Sequence, residues 1–70
     1  MKFAKLIMIT EDNHNKEYIM TQIDSSTFKA EWGRVGSSYQ STTYSMNEWD
    51  SKYKSKVKKG YKDISNLVEK

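Results

Sequence analysis

The side chains with the most evident chemistry in this sequence are aromatic rings and cations. Trp32 and Arg34 flank a glycine, and seven lysines fall within residues 51–70. Aromatic faces stack on bases or sugars, and ammonium and guanidinium groups neutralise phosphates. Arg34 is the only arginine, and its planar fork suits bidentate binding of phosphate or carboxylate. These residue types are those of a nucleic-acid-binding surface.

No catalytic or metal-binding set accompanies them. The sequence has no Cys, and its single His, His14, falls in a turn rich in Asn and Asp. Glu11 and Asp12 are adjacent on the same expected turn, so their carboxylates diverge. Gly33 and Gly36 do not have the spacing of a phosphate-binding loop. We therefore predict a protein that is not an enzyme, with no catalytic residues, no metal and no cofactor.

The charge is uneven along the chain. Residues 1–50 carry a net charge of −2, whereas residues 51–70 carry +5, which gives the overall +3. A concentrated basic surface attracts polyanions. The alternative is that the lysines only solvate a helix face, and composition alone leaves both interpretations open.

The elements that must position these residues can be located from periodicity. Three short apolar or alternating segments separated by turns predict an antiparallel meander, and a more polar fourth strand follows. These segments cover residues 3–10, 18–23, 27–32 and 39–44. Alternation in the third segment places Trp32 on the same side as Phe28 and Ala30, so a core position for Trp32 is an open alternative to a binding role.

A helix follows the strands. Ser45 and Glu48 have the spacing of a capping box, and Gly60 suits a left-handed helix end. The apolar stripe of this helix is Met46, Trp49, Tyr53 and Val57. Lysines 52, 56 and 59 lie to one side of that stripe, and residues 64–70 could form a short helix or a final strap. The prediction is an α+β fold in a single domain over residues 1–70, with an antiparallel sheet of about four strands and one helix packed on one face.

Four segments, in order along the chain, resemble the WGR domain family. The signature is residues 32–36, Trp-Gly-Arg-Val-Gly. Residues 14–18 resemble the entry to an early strand of that family, Gln40 stands where the family places a Gln, and residues 58–61 resemble the helix ending of small bacterial members. Tyr39 departs from the pattern, since many members carry Gly there.

The resemblance implies a WGR-like sheet with one packed helix and a role in recognising DNA. The family domain occurs in DNA-dependent poly(ADP-ribose) polymerases, where it recognises break ends, and in bacterial proteins. By resemblance, Trp32 packs against a terminal nucleotide, and Asn15, Arg34 and Tyr61 gather around a 5′-phosphate. The polymerase activity itself is not implied, because this chain contains no polymerase domain.

The sequence thus predicts a module that binds DNA ends or nicks, or another nucleic acid. The residues expected to bind are Asn15, Lys16, Trp32, Arg34, Gln40, Lys52, Lys56, Lys59, Tyr61 and Lys62. The alternative is a protein-interaction module that docks on a partner protein through the face bearing the signature. No apolar run is long enough to span a membrane, and the absence of Cys fits a cytoplasmic protein.

Overall fold

Five strands form one antiparallel sheet in the order β4-β3-β2-β1-β5, and one helix packs on it. The computed structural model describes residues 2–12 and 15–65. The elements are β1 (Phe3–Met8), β2 (Lys16–Gln22), β3 (Thr27–Arg34), β4 (Gln40–Ser45), a 3₁₀ turn (Met46–Glu48), α1 (Trp49–Lys59) and β5 (Lys62–Asp63). The predicted α+β class is confirmed. Within the described residues, no helix is long and apolar enough to cross a membrane.

The prediction of about four strands was wrong by one. Gly60 reverses the chain after the helix with φ 113°, and β5 then pairs with the edge of β1. A strand of two residues is too short to show any periodicity, so no local pattern indicates it. Two further expectations, the turn at Asn13 and His14 and the packing of residues 66–70, lie outside the described residues.

The core lies between the helix and one face of the sheet. Its buried residues come from three central strands and the first turn of the helix. They are Ala4, Leu6, Tyr18, Met20, Phe28, Ala30 and Trp49. The Trp49 ring meets the Phe28 ring edge-on, with centroids 5.0 Å apart. Strand alternation places these core residues on the helix side of the sheet, as the sequence predicted for Phe28 and Ala30.

The start of the helix and the burial of one residue of its apolar stripe differ from the predicted pattern. The Ser45 hydroxyl accepts from the Asn47 N–H at 3.2 Å, and Glu48 turns to Lys52 at 3.9 Å instead of back to Ser45. The expected reciprocal capping box is therefore wrong, because the first turn is 3₁₀. Val57 was expected in the core but is 44% exposed.

The glycine that closes the helix agrees with the prediction. The Gly60 N–H donates to Val57 O at 3.0 Å and the Tyr61 N–H to Lys56 O at 3.1 Å. This paired arrangement around a left-handed glycine ends the helix and satisfies its last carbonyls. This turn also brings Tyr61 close to Lys56 of the helix.

Candidate nucleic-acid interface

A groove lies between α1 and the sheet, on the side toward β3 and β4. It has a volume of about 270 Å³. We call it the lysine–aromatic groove, and it is lined by Tyr18, Trp32, Tyr44, Lys52, Ser55, Lys56 and Lys59. The groove therefore brings together four of the ten residues predicted from the sequence.

Strand register produces the aromatic floor. Tyr18 on β2 pairs with Trp32 on β3, and their ring centroids lie 6.2 Å apart at a tilt of 31°. Tyr44 on β4 pairs with Phe28 on β3. Directly paired residues share a face of the sheet, so all three rings lie on the helix side. Trp32 is half-buried and packs against the core, so its indole is neither sealed inside nor free in solvent.

The helix supplies a wall of ammonium groups. Positions 52, 56 and 59 recur at helical spacing and so share one side of α1. Lys52 Nζ lies 4.3 Å from the centre of the Tyr44 ring, and Lys56 Nζ lies 4.6 Å from that of Tyr18. Cations at this distance from a ring are attracted to its face. The rings therefore hold the lysines over the floor of the groove.

The charged residues that line the groove are all positive. None of its lining residues is acidic. The nearest ion pair, between Lys52 and Glu48, spans 3.9 Å at a partly exposed position and contributes little. Burial lowers the pKa of Lys56, and the neighbouring Lys59 and Lys52 lower it further. This crowding of like charges favours a bound anion, which would relieve it.

The two phenol groups under Lys56 both have raised pKa values. Burial, and then the neighbouring Tyr44 and Tyr61, raise the pKa of Tyr18 to about 12. Burial also raises the pKa of Tyr61, whose ring centre lies 5.7 Å from Lys56 Nζ. Tyr61 does not line the groove, but this contact places it next to the groove.

Three other predicted residues lie close to the end of the groove. Gln40 is the register partner of Trp32, and Arg34 follows Trp32 by two residues and so shares its face of β3. Arg34 pairs in turn with Lys16 on β2. All three side chains are exposed. The sheet therefore adds Arg34 and Lys16 as two further cations on the face of the groove.

Asn15 and Lys62 are placed differently. The Asn15 carbonyl accepts from the Val35 N–H at 2.9 Å, and its Oδ1 is buried with no hydrogen-bond partner in the described part of the chain. It therefore lies beside the signature turn. Lys62 pairs with Ile7, whose side chain lies on the face of the sheet away from the helix. Lys62 is thus not brought to the groove.

Gly33 of the signature has a packing role. A Cβ at this position would lie 2.9 Å from Cδ1 of Tyr39, so no larger residue fits without a shift. The Tyr39 hydroxyl donates to Glu17, and this hydrogen bond, with burial, raises the pKa of Tyr39 to about 12. Glu17 also pairs with Lys5 at 3.3 Å. The Tyr39 ring is therefore accommodated by the absence of a side chain at Gly33.

Sequence reasoning missed Tyr18 and Ser55 as groove residues. Tyr18 has the alternation of a core residue, and its role depends on which residue of β3 pairs with it. Ser55 was not selected because serines are abundant in this chain. The signal that could have found both is the combination of strand register with the helical wheel. Within the described residues, no cluster of three or more His, Cys, Asp or Glu side chains forms a metal site.

Comparison with known proteins identifies a similar viral chain. The protein is 44% identical over 64 residues to the "Uncharacterized protein 101L" of Invertebrate iridescent virus 6, a match covering 91% of this chain. The chain spans 27% of the length of that viral relative. No family model and no solved structure matches the chain.

Proposed function

We propose that this protein binds nucleic acid through the lysine–aromatic groove and prefers DNA ends or nicks that carry a 5′-phosphate. The observation that carries the proposal is the lining of the groove. Three ammonium groups and three aromatic rings face one cavity that has no carboxylate. Stacking rings beside phosphate-neutralising cations are the two components that proteins use to hold an unpaired strand.

The lysines supply most of the affinity in this proposal. Lys52, Lys56 and Lys59 contact phosphates, with Arg34 and Lys16 extending the cationic path at the end of the sheet. If three to five phosphates are neutralised, the logarithm of the binding constant falls with the logarithm of salt concentration with a slope of about −3 to −4.5. Phosphate contacts carry no sequence information, so base specificity is low.

Preference for a terminus comes from Trp32 and the signature turn. Trp32 is accessible enough to receive a nucleotide, and Arg34 lies two residues further along the same face. An amide, a guanidinium and a phenol can together surround a terminal phosphate, which is the role proposed for Asn15, Arg34 and Tyr61. The resemblance to the WGR domain family supports this part of the proposal.

Competition between DNA forms tests the proposal. A labelled nicked duplex is bound to the protein and displaced with blunt, nicked or closed circular DNA at low and at moderate salt. The proposal expects nicked and blunt DNA to compete better than closed circular DNA of equal mass, and a 5′-phosphate to improve competition over a 5′-hydroxyl. Equal competition by all forms would contradict the preference for ends, and no binding at low salt would contradict the whole proposal.

The second candidate function is docking on a partner protein through the signature turn. Arg34 is exposed and makes no ion pair within the described residues, and Val35 beside it is 46% exposed. An exposed guanidinium next to an apolar side chain suits a partner carboxylate. Loss of partner capture on Arg34→Ala, together with negligible DNA affinity at low salt, would favour this function.

A further inference from the structure

The edge strand β4 lacks the protection that sheet edges usually have. Its sequence, Gln40–Ser45, contains no charged residue and no proline, and within the described residues no strand pairs with its outer side. The opposite edge of the sheet is a two-residue strand made of Lys62 and Asp63. Short, charged edges resist pairing with other chains, whereas a longer uncharged edge invites it.

The alternation of residues along β4 that do and do not bond to β3 shows which of its backbone groups point away from the sheet. The Met46 N–H donates to Ser26 O at 2.8 Å, and antiparallel pairs alternate along the strand. Thr42 and Tyr44 therefore bond to β3, whereas the N–H and C=O of Ser41 and Thr43 point outward. The Ser45 N–H points outward as well.

We infer that two copies of this chain pair through β4, antiparallel and in register about Thr43, to form one continuous sheet across both molecules. Each Thr43 exchanges two backbone hydrogen bonds with Thr43 of the second copy. Each Ser45 N–H donates to Ser41 O of the other copy. The two-fold axis is perpendicular to the sheet, so both α1 helices and both lysine–aromatic grooves lie on the same side.

The chain that pairs with β4 is a second copy of this protein, because the register about Thr43 makes the edge strand complementary to itself. Thr43 faces Thr43 and Ser41 faces Ser45, so hydroxyl groups oppose hydroxyl groups, and the pairing strand itself carries no charged side chain. A six-residue edge buries less surface than the roughly 1,200–2,000 Å² of a stable interface, so self-association is weak and depends on concentration. The inference does not depend on the proposed function, because the backbone groups that pair belong to Ser41, Thr43 and Ser45, none of which lines the groove.

Sedimentation of the full chain over a wide concentration range tests the inference. We expect reversible dimerisation, and we expect Thr43→Pro to abolish it, because proline removes the central N–H from each copy while remaining tolerated at an edge. A chain that stays monomeric at every concentration, or a Thr43→Pro variant that folds and dimerises like the original, would overturn the inference.

A charge pair gives a second test that does not depend on proline. Thr43→Lys and Thr43→Glu each place like charges opposite one another, and each alone should dimerise about two- to fivefold more weakly than the original. An equimolar mixture of the two variants should recover association, because the ammonium of one copy then faces the carboxylate of the other. Unchanged dimerisation of the separate variants, or no recovery on mixing, would refute pairing about Thr43.

Discussion

The ammonium of Lys56 lies 4.6 Å from the centre of the Tyr18 ring. This contact joins the last turn of the helix to the central strand β2 and sets the position of a cation over the floor of the groove. The ring face attracts the charge while burial opposes it. The net effect is a lowered pKa for Lys56. A phosphate that binds beside Lys56 therefore stabilises its charged form more than it would that of an exposed lysine.

The first prediction concerns the pH dependence of DNA binding. Binding requires the protonated form of Lys56, whose pKa lies below its ordinary value of 10.5 because of burial and then the neighbouring Lys59 and Lys52. Affinity should therefore decline with rising pH before ordinary lysines deprotonate. Lys56→Arg should bind with less dependence on pH, because arginine stays charged. Fluorescence anisotropy between neutral and alkaline pH measures this.

The matched control for this prediction is Lys58→Arg. Lys58 is exposed and does not line the groove. Its replacement should leave the pH profile of the original protein unchanged. Identical profiles for Lys56→Arg, Lys58→Arg and the original protein would show that Lys56 does not contact the ligand.

The second prediction concerns Trp32. Trp32→Ala should weaken binding to nicked DNA about five- to 150-fold, the equivalent of losing about 1–3 kcal/mol of stacking on one base. Trp32→Phe should retain much of the affinity, since it keeps an aromatic face. Both variants are examined by anisotropy and by thermal unfolding. If Trp32→Ala unfolds, or if both variants bind nicked DNA as tightly as the original protein, the Trp32 side chain packs in the core and has no role in binding.

The third prediction concerns the packing of Gly33 against Tyr39. Gly33→Ala should lower the free energy of unfolding by about 1–3 kcal/mol, because the added Cβ crowds the tyrosine ring. In a Tyr39→Ala background the same substitution should cost much less. Denaturant unfolding of the four proteins in this double-mutant cycle measures the coupling. Equal costs in both backgrounds would disprove the contact.

The fourth prediction concerns acid stability. The Asp24 carboxylate accepts hydrogen bonds from the Ser26 N–H at 2.9 Å and from the Thr27 hydroxyl at 2.9 Å, and these contacts lower its pKa below 3.8. A carboxyl with a lowered pKa in the folded state stabilises the protein above its ordinary pKa, and that stability is lost as the pH falls through the lowered value. The free energy of unfolding should therefore decrease on acidification.

Asp24→Ala should reduce this acid dependence. Asp50→Ala is the control, since Asp50 is exposed and no hydrogen bond of its carboxylate is found among the described residues. Urea unfolding at a series of acidic pH values compares the three proteins. A steeper acid dependence for Asp24→Ala than for the original protein would contradict the assigned role.

The sequence predicted the sheet and helix because strand alternation and helical spacing are local signals. Phe28, Ala30 and Trp49 were assigned to the core on this basis, and they are buried. Val57 is instead 44% exposed, because a helical wheel does not show which residues of an apolar stripe the sheet covers. The position of Tyr18 in the groove was not predicted for a related reason. It depends on the pairing of β2 with β3, which is a long-range register that no local pattern shows.

The residue types that line the candidate groove could be predicted from composition, and their positions only in part. Lysines 52, 56 and 59 were grouped correctly because helical spacing fixes them relative to one another. Lys62 was grouped with them by sequence proximity, yet Gly60 reverses the chain and β5 turns Lys62 to the other face. The role of Tyr39 over Gly33 depends on a tertiary contact that no local pattern reveals.

The most direct test of the proposed nucleic-acid interface compares two double variants of equal charge. Lys52→Gln with Lys59→Gln removes two groove cations, and Lys54→Gln with Lys58→Gln removes two from the other side of the helix. Salt titrations of nicked-DNA binding should show a slope shallower by about 1.8 for the groove variant, with little change for its control. Equal slopes for the two variants would contradict binding in the lysine–aromatic groove.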